Sequence, residues 1–134
     1  MSKRLLGKYN FRYMHQILAY LFAGLLIVSA IAHLVNPAFY KRLIPDFINP
    51  RFAHILSFIT ELGAGILLIL PQYRSWGGLA FMALMIAFMP IHIWDWTKDR
   101  PMVGSKNAAI VRIIVQIVLI YAGWWIYSSP NQVS

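Results

Sequence analysis

The stretch FAHILSFITELGAGILLIL, residues 52–70, decides the fold, because it joins a long apolar run to a single carboxylate, Glu61. Its length lies within the roughly 17–25 residues that a helix needs to cross the hydrocarbon core of a bilayer. At about 1.5 Å per helical residue, Glu61 would lie about 13 Å from the start of the run. An ionisable group at that depth costs at least about 2.5 kcal/mol, so we expect Glu61 to face a partner or a cavity rather than lipid.

Three further apolar stretches, 15–35, 76–94 and 108–127, reach or approach the same length. Hydrophobic residues make up 60% of the 134 residues and charged residues 12%, and the mean hydropathy is +0.62. A soluble domain this small would expose too much apolar surface. The sequence therefore predicts an all-α fold, with one integral membrane domain over residues 1–134. Because the connections are short, the four transmembrane helices should form an antiparallel bundle.

Capping residues mark where the helices should begin. The candidate caps are Asn36, Asn49, Ser75, and either Ser105 or Asn107. Asn36 precedes a proline, which suits the first turn of a helix. We therefore predict a short helix over 37–43, between the first and second spans. Its mixture of aromatic and basic side chains favours a location in the membrane interface, with an irregular loop as the alternative.

Basic residues before the first span predict a cytoplasmic N-terminus, and four crossings then make the C-terminus cytoplasmic too. These residues are Lys3, Arg4, Lys8 and Arg12. The loops weigh against this orientation, because six Lys and Arg, or seven with Arg112, would lie outside and five inside.

The small-residue pattern 30–32 resembles a signal-peptidase site. Since the apolar run is long for a signal core and continues to Val35, we expect it to be retained as a span.

Several classes of chemistry are excluded by composition and by missing motifs. The chain has no cysteine, which rules out thiolate catalysis, disulfide exchange and cysteine-bound clusters within it. It contains no P-loop, dinucleotide fingerprint or nucleophile elbow. The net charge of +8 is better explained by anionic lipid than by nucleic acid, because no basic cluster has the context of a nucleic-acid module. Any redox role would need a bound cofactor or another subunit.

Polar side chains inside or at the ends of the spans fall in one half of the predicted bundle. They are His33, His54, Glu61, His92, Asp95, Arg112 and Gln116. His54 and Glu61 are seven residues apart, and Arg112 and Gln116 are four apart, so each pair shares a helix face. These residues are predicted to line one polar pocket that opens toward the loop 36–51. A metal site is not predicted, because the histidines lack a tight ligand spacing.

The partner of Glu61 has two interpretations. Each of Glu61 and Arg112 would otherwise be an unpaired charge in the membrane, which favours a direct or water-bridged pair. Alternatively, Arg112 extends to the headgroups while a neutral Glu61 is hydrogen-bonded to a neighbouring helix. His33 and His92, at the ends of their spans, are either site residues or ordinary interfacial histidines. Small residues such as Gly63 and Gly65 permit close helix packing, either within the chain or in a homodimer.

The order and spacing of several motifs resemble the DoxX-like family of small four-span membrane proteins. The matching segments are HLVNPAFY at 33–40, Ile44-Pro45, Thr60-Glu61-Leu62-Gly63, Gly65, Pro71, FMPIH at 88–92 and RIIVQ at 112–116. The resemblance covers residues 15–127. This chain departs from the family pattern where Met89 separates the phenylalanine from the proline and where His92 occupies the polar position.

The resemblance implies a bacterial inner-membrane protein, but it implies more than one function. DoxX-like proteins include membrane subunits of thiosulfate:quinone or quinol-oxidising systems and membrane partners of stress-defence enzymes. A distant branch contains a chaperone that assembles nicotinic receptors. We therefore carry three hypotheses: an accessory subunit of a redox or stress-defence complex whose Glu61 pocket holds a quinone or lipid headgroup, a non-enzymatic assembly factor that binds transmembrane helices, and an amphiphile-binding isomerase or carrier. Whether the chain is an enzyme is left open.

Overall fold

The computed structural model describes residues 2–129, and within them the protein is all-helical, without strands. Its α-helices are α1 (Lys3–Val35), α2 (Pro37–Tyr40), α3 (Pro50–Ile69), α4 (Arg74–Thr97) and α5 (Lys106–Ser128). Two 3₁₀ turns, Lys41–Leu43 and Pro71–Tyr73, follow α2 and precede α4. By length and composition, α1, α3, α4 and α5 are each able to cross a membrane. The prediction of four long apolar helices is confirmed.

The first helix is longer than its apolar run. It begins at Lys3, twelve residues before the predicted start of the span, and residues 2–14 are all exposed. Hydropathy could not locate this start, because it detects only apolar residues. Lysine and arginine are polar but form helices as readily as leucine does. With 33 residues, α1 is about 50 Å long.

Two of the predicted caps begin their helices as expected. The side-chain oxygen of Asn49 accepts hydrogen bonds from the backbone amides of Arg51 and Phe52, at 2.9 and 3.3 Å. Ser105, the first of the two candidates before α5, accepts from the amide of Ala108 at 3.1 Å. Both contacts satisfy amides that the first helical turn leaves without an internal partner.

Of the other two predicted caps, Asn36 does precede α2 as expected, whereas Ser75 does not begin α4. Asn36 makes no capping bond with its side chain, and its backbone amide instead closes the end of α1 on the carbonyl of Ala32. Ser75 lies inside α4, where its hydroxyl donates to the carbonyl of Tyr127 at 2.7 Å. The predicted segment 37–43 is nevertheless helical, as α2 followed by a 3₁₀ turn.

Helix α4 packs between α3 and α5 through glycines that admit no side chain. A Cβ on Gly77 would lie 2.6 Å from the backbone nitrogen of Leu68 in α3. A Cβ on Gly78 would lie 2.7 Å from the backbone nitrogen of Tyr127 in α5. Such distances mean that the helix backbones touch, an arrangement that small residues make possible.

Helices α1 and α3 run in opposite directions against each other. His33 near the end of α1 meets His54 near the start of α3, while a Cβ on Gly65 near the end of α3 would approach the carbonyl of Ala23. The apolar core where the long helices meet includes the stacked rings of Phe22 and Phe81, whose centroids are 4.7 Å apart. The other buried members of this core are Ala19, Ala23, Leu26, Ala64, Leu68, Met85 and Ile126.

Polar contacts hold the helices together at the end away from His33. Arg74, which is buried, donates to the carbonyls of Leu68 and Ile69 at 3.0 and 3.4 Å. A basic side chain at this point satisfies carbonyls that the end of α3 leaves without partners. His15 lies within α1, and its Nε2 is 3.2 Å from the carbonyl oxygen of Ile126 in α5.

Candidate functional site

A cavity of about 480 Å³ lies among the helices, on the side of the loops 36–49 and 98–105. Its lining is mainly apolar and includes side chains from all five α-helices. Five of the predicted site residues line it: His33, Glu61, His92, Arg112 and Gln116. The remaining two, His54 and Asp95, do not line the cavity but contact residues that do. The structure therefore brings the seven predicted residues to one region.

Glu61 is buried in the wall of this cavity, with 2% of its surface exposed. One carboxylate oxygen, Oε1, lies 3.4 Å from Nε2 of His33. The other oxygen, Oε2, is buried without any hydrogen-bond partner among residues 2–129. An unsatisfied buried polar atom carries a desolvation cost of about 1–3 kcal/mol, which a bound hydrogen-bonding group would offset.

His33 is held on three sides. Its Nδ1 lies 3.1 Å from Nδ1 of His54, and its Nε2 faces Glu61. The ring of Tyr40 from α2 stacks on its face, with centroids 3.9 Å apart and planes inclined by 20°. The hydroxyl of Tyr40 lies 3.4 Å from that of Ser29. The sequence indicated no site role for Tyr40, because its aromatic ring was explained by the interface.

Arg112 is paired with Asp95, so the predicted direct pair with Glu61 is wrong. Arg112 donates from Nη1 to Asp95 Oδ2 at 2.9 Å and from Nη2 to His92 Nδ1 at 3.1 Å. Asp95, fully buried, also accepts from the backbone amide of Met102 at 3.1 and 3.2 Å. The loop between α4 and α5 is short, so Asp95 near the end of α4 lies close to Arg112 near the start of α5. Glu61 lies on α3 and is not brought to Arg112 by this loop.

The contact with Arg112 also determines which nitrogen of His92 carries the proton. A guanidinium has only donors, so Nδ1 of His92 must accept and is unprotonated. A neutral imidazole then bears its proton on Nε2. Nε2 makes no hydrogen bond within residues 2–129, and His92 lines the cavity. Two residues of the cavity lining thus have unused hydrogen-bonding capacity: His92, with a proton on Nε2, and Glu61, with an unsatisfied Oε2.

Gln116 links α5 to α4 across the buried side of the cavity. Its Nε2 donates to the carbonyl of Met85 at 2.7 Å.

Pro90 lies well within α4, which continues to Thr97, so it does not mark a fraying end of the helix. In the described part of the chain, no group of three His, Cys, Asp or Glu side chains has a geometry that could hold a metal ion.

The two loops on the cavity side bind each other through basic side chains. Arg42 donates from its guanidinium to the carbonyl of Arg100 at 3.3 Å, and the ammonium of Lys98 donates to the carbonyl of Arg42. Both loops contribute apolar side chains to the lining, among them Leu43 and Met102. Sequence reasoning missed these contacts because the acceptors are backbone carbonyls, which carry no residue-specific signal.

No protein of curated function and no solved structure matches this chain. One family model matches residues 22–127, and that range contains all seven predicted site residues. The match covers well over half of the 134 residues. The chain therefore belongs to the family described as Domain of unknown function (DUF8561).

Proposed function

We propose that the protein is an integral membrane protein of the DoxX-like type, with α1, α3, α4 and α5 as an antiparallel transmembrane bundle. Large apolar side chains cover the outer faces of all four helices, including Val28, Ile59, Ile86 and Val118, which supports contact with lipid. The short helix α2 would lie in the interface. Both termini would be cytoplasmic, with the cavity in the opposite half of the bilayer.

Within that setting, the protein binds one amphiphile, through a quinone or lipid headgroup. The observation that supports this most directly is the buried Glu61, unsatisfied at Oε2, in the wall of a mainly apolar cavity of about 480 Å³. That volume lies within the roughly 300–1,000 Å³ typical of small-molecule sites. Such sites combine an apolar lining with a few polar groups that orient the ligand.

The two polar groups suit a headgroup that carries oxygen. The Nε2 proton of His92 would donate to a carbonyl oxygen, as found in a quinone or in a lipid ester. The carboxyl group of Glu61 would bind a second polar atom, and the apolar lining would contact the adjoining ring or chain. The DoxX-like resemblance supports a place for such a subunit beside a redox or stress-defence enzyme in the same membrane.

Replacing Glu61 with glutamine tests this function. The amide keeps the size of the side chain but loses the carboxyl group, so we expect retention of the ligand to fall at least about tenfold, the effect of losing about 1.4 kcal/mol of hydrogen bonding. The measurement is mass spectrometry of everything that co-purifies with the tagged protein in native-membrane nanodiscs. Circular dichroism of both proteins checks that the helices remain.

The matched control is Asp46→Asn, the same chemical change at an exposed loop residue, which should retain ligand as the unmodified protein does. Equal ligand in Glu61→Gln, or no small ligand in any sample, would contradict the proposal. A co-purifying membrane protein without a small ligand would instead favour the assembly-factor hypothesis.

A further inference from the structure

Three buried side chains form a continuous line from the cavity toward the start of α3. Glu61 Oε1 lies 3.4 Å from His33 Nε2, and His33 Nδ1 lies 3.1 Å from His54 Nδ1. Both ring nitrogens of His33 are therefore engaged, one on each side. An imidazole with this arrangement can accept a proton at one nitrogen while it releases another from the opposite nitrogen.

We propose that His54 and His33 are a proton relay that connects Glu61 with the aqueous side of the loop 36–49. The role of this relay depends on the proposed function, because the relay would exchange a proton with a ligand bound at Glu61. His54 lies about 6 Å from the start of α3 and Glu61 about 16 Å, so the relay covers about 10 Å of depth. Nε2 of His54 makes no hydrogen bond to residues 2–129 and is the entry point.

The proton balance closes without any electron transfer. With Glu61 ionised, His33 donates from Nε2 to the carboxylate and accepts at Nδ1 from the Nδ1 proton of His54. A proton that binds Nε2 of His54 releases the Nδ1 proton of that ring to Nδ1 of His33. His33 in turn passes its Nε2 proton to Oε1 of Glu61. Both histidines are then neutral, Glu61 carries the added proton, and the reverse sequence returns it.

Bulk water has little other access to Glu61, whose side chain is 3% exposed. The titratable and charged groups around the cavity come from separate helices. They are His33 on α1, Tyr40 on α2, His92 on α4 and Arg112 on α5. Arg112 and His92 are occupied by each other and by Asp95, and neither has a hydrogen bond to Glu61. Among the described residues, the hydroxyl of Ser29 also interacts with Glu61, but His33 is the only titratable side chain in contact with it, so the proposed path runs through His33.

The experiment measures how fast Glu61 gains a proton after a light-triggered release of acid. Time-resolved infrared spectroscopy would follow the carboxyl band of the full chain in phosphatidylcholine nanodiscs, and the band is assigned by its loss in Glu61→Gln. His54→Ala should slow protonation at least about tenfold while leaving the final extent unchanged, because His54 does not contact Glu61. Imidazole added to the buffer should restore the rate, an effect that a structural role would not give.

His54→Gln is a second variant that keeps a hydrogen-bonding side chain beside His33 but cannot relay a proton, so it should be slow as well. The matched control is His15→Ala, a histidine outside the cavity lining, which should keep the normal rate. Normal rates in both His54 variants, or slow rates that imidazole leaves unchanged, would overturn the relay. Because this readout needs no ligand, a relay can be demonstrated even where no ligand co-purifies, and bound ligand can be found where the relay fails.

Discussion

Replacing Asp95 with alanine is expected to lower the free energy of unfolding by about 3 kcal/mol. Asp95 is fully buried and is the ion-pair partner of Arg112, and removal of one member of a buried pair costs about 3–5 kcal/mol. We expect a cost at the low end of that range, because the Arg112 side chain is 23% exposed and can turn toward water. The variant also leaves the amide of Met102 without its acceptor. Denaturant unfolding in detergent micelles, followed by circular dichroism, measures the change.

The matched control is Asp99→Ala, an exposed carboxylate in the loop that follows α4, for which a change within about 0.5 kcal/mol is expected. A double variant with Arg112→Met should be less destabilised than the sum of the two single changes, by about 0.5–3 kcal/mol, because both remove the same contact. Additive effects would show that the pair contributes nothing, whatever its distance.

Replacing Gly77 with alanine is the second change with a large expected effect. The added Cβ would lie 2.6 Å from the nitrogen of Leu68 and 2.8 Å from the carbonyl carbon of Leu67. Both are backbone atoms, so no side chain can turn away and α4 must separate from α3. Overpacking of this kind typically costs about 1–3 kcal/mol. Thermal unfolding in nanodiscs should show a lower midpoint for Gly77→Ala.

Gly63→Ala is the matched control, since a Cβ there meets nothing within 4 Å. Its midpoint should stay or rise, because alanine favours a helix over glycine by as much as about 1 kcal/mol. A fall of similar size in both variants would mean that the loss comes from glycine in general and not from the contact between α3 and α4.

Elements with a strong local signal could be predicted from the sequence. The apolar runs predicted four long helices, and Asn49 before a proline predicted the start of α3. The early start of α1 could not be found in this way, because its first twelve residues lack the apolar character that was used to find spans.

That the seven polar residues lie in one region could also be predicted, whereas the pairs that they form could not. Alternating helix directions place His33, His54 and Glu61 in the same half whatever the details of packing. Which groups touch depends on how each helix is rotated about its axis, and residue spacing within one helix does not set that angle. Arg112 thus meets Asp95, and His33 meets Glu61, for reasons that lie in contacts between helices.

The length of α1 bears on how the protein would sit in its membrane. At about 50 Å, α1 exceeds the roughly 40–45 Å of a bilayer with its headgroups. A tilt of about 30°, within the range of about 0–40° found for transmembrane helices, would bring the whole helix inside that thickness. The tilt would then change with bilayer thickness, so the chain length of the surrounding lipids would alter the orientation of the helix that carries His33.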